Sequence, residues 1–364
     1  MKILYVTAKG GIHDYRFLQK LVNDFEVLLL HYEADELIDE IKSLKGLKII
    51  SRKPWLKKTF PYLTEKRHFK KIYGDFKPDI VHTGYVWQVG ILASYFDIHP
   101  HLSMVWGSDI LFEPDQNRYI KRIVKKVMNQ CDHIQCDAEF VKQKIMGDYS
   151  INREKITVFP WGIDLSLFKK LDKKECRKQL NIPDSKFVVL FDRNLEPVYG
   201  IEYMLEGFKE FGADKNDVLF LILAAGSMEN ELRRFISRSS LGDKIKLVGR
   251  VPNNKLPVFL NASDVYISTS NSDGTSLALL EAMACGLGLI ISDVPAIKEW
   301  VGAENGLVVP RKNSREVYLA LEKYYRDKGL REKHGANNIR IASERADWNK
   351  NYSLLKFIYN ELVK

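Results

Sequence analysis

The chain has 364 residues, 45% apolar and 28% charged, the balance of a folded protein of about two domains, which excludes the disordered and fibrous classes. No apolar run approaches the roughly 18–20 residues of a membrane span. Four cysteines (Cys131, Cys136, Cys176 and Cys285) are too few for a disulfide scaffold, so reduced thiols and a cytoplasmic setting are expected, while the net charge of +9 points to anionic partners.

The opening KILYVTA reads as a strand closed by Gly10-Gly11 rather than as a secretory leader, which needs a longer apolar core and a cleavage site. A helix-like stretch at 15–23 leads to strands at 25–32 (FEVLLLHY) and 47–51 (LKIIS). Residues 52–77 then set nine cations against Glu65 and Asp75 and interleave them with Trp55, Phe60, Tyr62, Phe69 and Tyr73. A segment lying on anionic lipid has this composition, and so does a solvated basic face whose aromatics enter the core. Nucleic acid is not an expected partner, because no recognised binding module accompanies the charge. Strands follow at 79–84 (DIVHTG), 102–108 (LSMVWGS), 132–137 (DHIQCD) and 155–162 (KITVFPWG), with a second basic run, Arg118, Lys121, Arg122, Lys125 and Lys126, on a helix between them.

The rhythm then restarts after Pro160-Trp161-Gly162. Strands are expected at 186–194, 218–226, 245–251, 265–270, 287–293 and 306–310, with an amphipathic helix at 200–211. A final helix over 348–364 carries Leu354, Leu355, Ile358 and Leu362 at helical spacing. Strands alternating with helices imply parallel βαβ units, since parallel strands need a crossover. The fold class is therefore α/β, with two Rossmann-like doubly wound parallel-sheet domains facing across a cleft. The domains expected are 1–162 and 163–344, with 345–364 as a helix crossing back. Ligands in such sheets bind at the carboxyl ends of the strands.

The most informative run is SNSDGTSLALLEAMACGLGLIISD (270–293), a strand end that opens a helix near Thr275. The backbone N–H groups of Gly274, Thr275 and Ser276 are unpaired at such a helix start, where the dipole favours an anion. A diphosphate suits that position, with Asp273 and Glu281 left to accept hydrogen bonds from sugar hydroxyls. LEAMACG and the acid pair eight residues apart resemble the retaining family-4 glycosyltransferases (glycosyl transferases group 1) of the GT-B fold. The resemblance implies that Glu281 holds the ribose and Asp273 the transferred sugar, although the family more often has Glu at the latter position.

Further matches extend over most of the chain. PWGIDLSLF (160–168) is similar to the family's linker, and VGRVPNNKLPVFLNASDVYI (248–267) to its base-binding stretch, which makes Arg250 and Val251 candidate donor contacts. FDRNLEPVYGIEYMLEGF (191–208) stands where the family has an Arg…Lys-Gly element. Arg193 matches the arginine that steadies the leaving diphosphate, and Tyr199 replaces the lysine. VWGSDIL (105–111) resembles a His-Gly-x-Asp element with Trp106 in place of the histidine. Gly10, Gly11, His13, His82, Trp106 and Asp109 are the candidate sugar or acceptor contacts.

The expected activity is retaining transfer of a sugar, UDP-sugar favoured, to a glycan, lipid-linked or small-molecule hydroxyl acceptor. The chain contains no Asp-x-Asp and no His/carboxylate metal cluster, so no metal and no cofactor beyond the nucleotide-sugar are expected. The alternatives are a GT-B nucleotide-sugar epimerase, a phosphorylase, or a silent sugar-nucleotide-binding or scaffold protein. Peripheral contact of residues 52–77 with the inner face of an anionic membrane is a further expectation.

Overall fold

Short β-branched and aliphatic runs that alternate with helices pair in parallel, each in register with a strand distant in sequence. The computed structural model describes residues 1–8, 10–32, 37–52, 65–239 and 241–364. Its first sheet holds β1 (Lys2–Thr7), β2 (Glu26–His31), β3 (Lys48–Ser51), β4 (Ile80–Gly84), β5 (His101–Met104), β6 (His133–Cys136) and β7 (Ile156–Val158). They lie in the order β3-β2-β1-β4-β5-β6-β7. The second sheet holds β8 (Phe187–Phe191), β9 (Val218–Ile222), β10 (Ile245–Leu247), β11 (Val265–Ser268), β12 (Gly288–Ser292) and β13 (Leu307–Val309), in the order β10-β9-β8-β11-β12-β13. Two units result, Met1–Phe159 with Tyr352–Lys364, and Pro160–Asn351.

In the first unit, α1 (Ile12–Asp24) buries Phe17, Leu18 and Leu21 on one face. The helix α2 (Lys66–Phe76) carries the tail of the basic segment and sends Phe69 fully into the core beneath β1, β2 and β4, with Tyr73 packed alongside. Those two aromatics thus serve packing, while residues 53–64 of that segment lie outside the described residues. The second basic run occupies α3 (Arg118–Gln130), which buries Ile123, Val124, Val127 and Met128 and leaves Arg118, Arg122, Lys125 and Lys126 exposed.

In the second unit, α4 (Ile201–Gly212) presents Ile201, Met204, Leu205, Phe208 and Phe211 to the sheet at helical spacing. Gly207 lets it approach a later helix closely, since a Cβ there would lie 2.8 Å from the Ser314 carbonyl oxygen. The helix α5 (Leu277–Ala284) is buried on nearly every side, and α6 (Trp348–Val363) ends the fold. No helix among the described residues is long and apolar enough to cross a membrane.

Several elements are shorter than the sequence pattern suggests. β9 ends at Ile222, because the backbone beyond turns to meet the Leu195 segment, with Leu195 N–H donating to Ala225 O (3.1 Å) and Met228 N–H to Leu195 O (2.9 Å). β7 ends at Val158, two residues before Pro160, which has no N–H for a ladder. The helix expected to open near Thr275 starts at Leu277, because Ser276 is its N-cap and accepts from Leu279 N–H at 3.3 Å.

Candidate active site

In a doubly wound sheet the loops diverge where the strand order reverses, and ligands bind in the crevice at the carboxyl ends there. That point lies between β8 and β11 in the second sheet and between β1 and β4 in the first. Part of the candidate set lies near each of these points.

Arg193 follows β8, and Asp273 to Ser276 follow β11. One guanidinium nitrogen of Arg193 donates to Asp273 Oδ2 at 2.8 Å and the other to Ser276 Oγ, so Ser276 serves as helix cap and arginine partner together. The Arg193 guanidinium carbon sits 4.5 Å from the centre of the Tyr199 ring. Burial raises the Asp273 carboxyl above its ordinary value, against the opposing pull of Arg193 and the Gly274 N–H. Thr275 turns its hydroxyl inward and accepts from Trp300 Nε1 (3.3 Å), which fixes the backbone at the helix start. Glu281 is buried on α5.

Arg250 and Val251 lie in the loop after β10, two strands from β8, and Arg250 is exposed. Among the described residues no hydrogen bond joins them to the Arg193 cluster. Asp192, which the sequence reading passed over, stands beside Arg193; burial and the neighbouring Glu281 carboxylate push it up to about 7. Its signal was the acid–base pair at a strand end.

At the first switch point, His13 and Trp106 meet edge to face with ring centres 5.5 Å apart, and Trp106 leans over Gly84, where a Cβ would lie 2.6 Å from Nε1. Gly11 caps α1 and donates its N–H to Asp14 (3.0 Å), while Gly10 packs against Leu37 and His31. Asp14 also accepts from the Tyr5 hydroxyl (3.0 Å), and burial pushes it up to about 6. The Gly-x-x-Asp spacing at a helix start is the signal that could have found it.

Two sequence candidates fall elsewhere. His82 is fully buried in β4, packed between Tyr5 and Phe17, with Nδ1 bonded to the Tyr359 hydroxyl, and burial holds it down at about 3. It is a core residue, not a ligand contact. Asp109 is equally buried and accepts from the backbone N–H groups of Val86 (3.1 Å) and Trp106 (3.0 Å), with burial pushing it up to about 7. Its carboxylate fastens the loop after β4 to the loop after β5 and is not offered to a sugar.

Two Rossmann-like units, each with candidate residues near the switch point of its parallel sheet, form the GT-B architecture. Comparison with known proteins carries this to a family. Residues 2–138 match the model for Glycosyl transferase 4-like proteins, and residues 172–341 match Glycosyl transferases group 1. The chain belongs to the group 1 glycosyltransferases and is of the family-4-like kind. Among solved structures it is similar to sucrose-phosphate synthase of Thermosynechococcus elongatus, with a TM-score of 0.85 and 17% identity, over 100% of this chain and 99% of that one. It is also similar to Anabaena HepE in complex with UDP, with a TM-score of 0.82 and 18% identity, over 99% of this chain and 100% of that one. An uncharacterized glycosyltransferase of Methanocaldococcus jannaschii is 25% identical over 67% of this chain; the chain spans 62% of that relative's length.

Proposed function

We propose that this protein moves a sugar from a nucleoside diphosphate sugar, UDP-sugar in the first instance, to a hydroxyl acceptor, with retention at the anomeric carbon and without a metal. The observation that carries the reading is the convergence of Arg193 from β8 with Asp273 and Ser276 at the start of α5, the helix on which Glu281 is buried. A guanidinium beside a helix N-terminus suits a diphosphate. UDP in the Anabaena neighbour supports that nucleotide.

As the bond from C1 to the phosphate oxygen breaks, negative charge grows on the β-phosphate. Arg193 and the dipole of α5 stabilise that charge where it develops. The acceptor oxygen bonds to C1 on the same face, and its proton passes to the departing phosphate, so the step asks for no protein base. Glu281 is assigned to the ribose hydroxyls, and Asp273 to the sugar end of the donor. The acceptor is a glycan, a glycolipid or a small molecule. Gly11, His13 and Trp106 are the first-unit residues we assign to it.

The exposed cations of α2 and α3 support contact with an anionic membrane surface from the cytoplasmic side. Sedimentation that is the same with neutral and with anionic liposomes would remove that part of the reading.

The test of the main proposal is UDP binding by calorimetry together with UDP release from a panel of nucleotide-sugars. Glu281→Ala should weaken UDP binding about 10- to 100-fold, as expected when one or two hydrogen bonds to a charged group are lost. Unchanged affinity sinks the ribose assignment. Tight UDP binding with no turnover of any donor would mark a binding protein instead. Activity lost in EDTA and restored by manganese would overturn the metal-free mechanism.

A further inference from the structure

Tyr199 lies in a turn, Pro197–Tyr199, whose backbone is tied on all sides. Thr269 Oγ1 donates to the carbonyls of Gly200 (2.9 Å) and Tyr199 (3.2 Å), and Asn271 N–H donates to Val198 O (2.7 Å). Thr269 and Asn271 belong to the same loop that delivers Asp273. The turn, the loop after β11 and Arg193 therefore form a closed ring of contacts: loop to turn by backbone, turn to Arg193 by an aromatic face, and Arg193 to Asp273 by an ion pair.

The side chains of Arg193 and Asp273 are only 12% and 14% exposed. A guanidinium has five donors, of which two are given to Asp273 and Ser276. The Nε–H is buried without an acceptor among the described residues. A cation held this way keeps its orientation and still has hydrogen-bonding capacity for phosphate oxygens. An aromatic face suits the task, because it attracts the guanidinium without competing for its hydrogen-bond acceptors.

We infer that Tyr199 is a positioning residue that grips Arg193 against Asp273, so that a single guanidinium engages the donor's diphosphate. This rests on the reading of Arg193 as a diphosphate ligand. It assigns Tyr199 a role through its ring face, not through its hydroxyl.

The experiment compares UDP with uridine on the full chain by calorimetry, since only UDP reports the diphosphate. Arg193→Gln tests the underlying reading and should lower the ratio of UDP to uridine affinity. Tyr199→Leu, which keeps apolar bulk beneath the turn, should lower that ratio by about 3- to 30-fold, the range of a partly desolvated cation–π contact. Tyr199→Phe should restore it to within about twofold, and Tyr199→Leu added to Arg193→Gln should cost nothing more. Should the leucine variant not fold, Tyr199→Met takes its place.

An unchanged ratio in Tyr199→Leu, with the ratio lost in Arg193→Gln, overturns the inference. So does an equal fall for UDP and uridine, which would mean a purely structural ring. An unchanged ratio in Arg193→Gln removes the reading of Arg193 itself.

Discussion

Gly200→Ala gives a direct measure of how tightly the turn beneath Tyr199 is built. Gly200 has φ +57°, and a Cβ placed there would lie 2.4 Å from the carbonyl oxygen of Thr269, which is backbone and cannot rotate away. Two costs therefore add: the left-handed conformation of a residue with a Cβ, about 1–2 kcal/mol, and the displacement of the Thr269 peptide with its hydrogen bonds, roughly another 1–2 kcal/mol. Gly249 separates the two, because it has φ +81° but no atom within 4 Å of the added Cβ. Both glycines lie in the second unit, so both report on the same unfolding transition. In urea, Gly249→Ala should lose about 1–2 kcal/mol and Gly200→Ala about 2–4 kcal/mol. Gly200→Ala should also lower UDP affinity, as the turn carries Tyr199 away from Arg193. Equal losses for the two variants, with UDP affinity intact in Gly200→Ala, would refute the claim that this turn is clamped to the loop after β11.

Tyr359→Phe removes the hydroxyl partner of buried His82 and should cost about 1–3 kcal/mol of stability in the first unit, read by denaturant titration, with UDP affinity unchanged. Unchanged stability would refute the reading of His82 as a core residue held by that hydroxyl. Asp192, pushed up to about 7 from an ordinary 3.8, is mostly neutral at pH 6 and mostly charged at pH 8, when it adds negative charge beside the assigned diphosphate site. UDP-glucose, which has no titrating group in that range, should therefore bind more weakly as pH rises from 6 to 8, and Asp192→Asn should flatten the profile. A wild-type profile that is already flat contradicts this. Stability has the same sign: with a folded value above the unfolded one, the contribution of Asp192 is full below about 4 and is lost as pH rises through about 7.

The fold was legible because its signals are local and repeated. Every segment read as a strand, from KILYVTA to GLVVP, joins one of the two parallel sheets, since buried parallel strands announce themselves as unbroken aliphatic runs. Strand ends were less legible: the run at 218–226 is apolar to its end, but its last residues bond to the Leu195 segment, a tertiary event that periodicity cannot foresee. In the site, Arg193, Asp273 and Ser276 came from motif and spacing, and the structure brings them into contact. His82 and Asp109 failed as ligand candidates for one reason. His82 sits in the middle of β4 and Asp109 in a short helix five residues past β5, and a sequence cannot say whether the partner of such a polar side chain is a ligand or the protein's own Tyr359 hydroxyl and Val86 N–H.

The two switch points obey one topological rule, yet their chemistry diverges, and the difference bears on function. In the first unit Asp14 and Asp109 are both buried and taken by the protein's own donors, so they set loop geometry. What that edge presents is half-buried and largely uncharged: the Gly11 backbone and the rings of His13 and Trp106. In the second unit the same location holds a buried guanidinium, three carboxyl groups and the start of a helix. An edge of rings and backbone suits neutral hydroxyls, and an edge built around a fixed cation suits phosphate. That division supports an acceptor on the first unit and a nucleotide-sugar on the second. Where the resembled family has a lysine, this chain sets the Tyr199 ring against the Arg193 guanidinium.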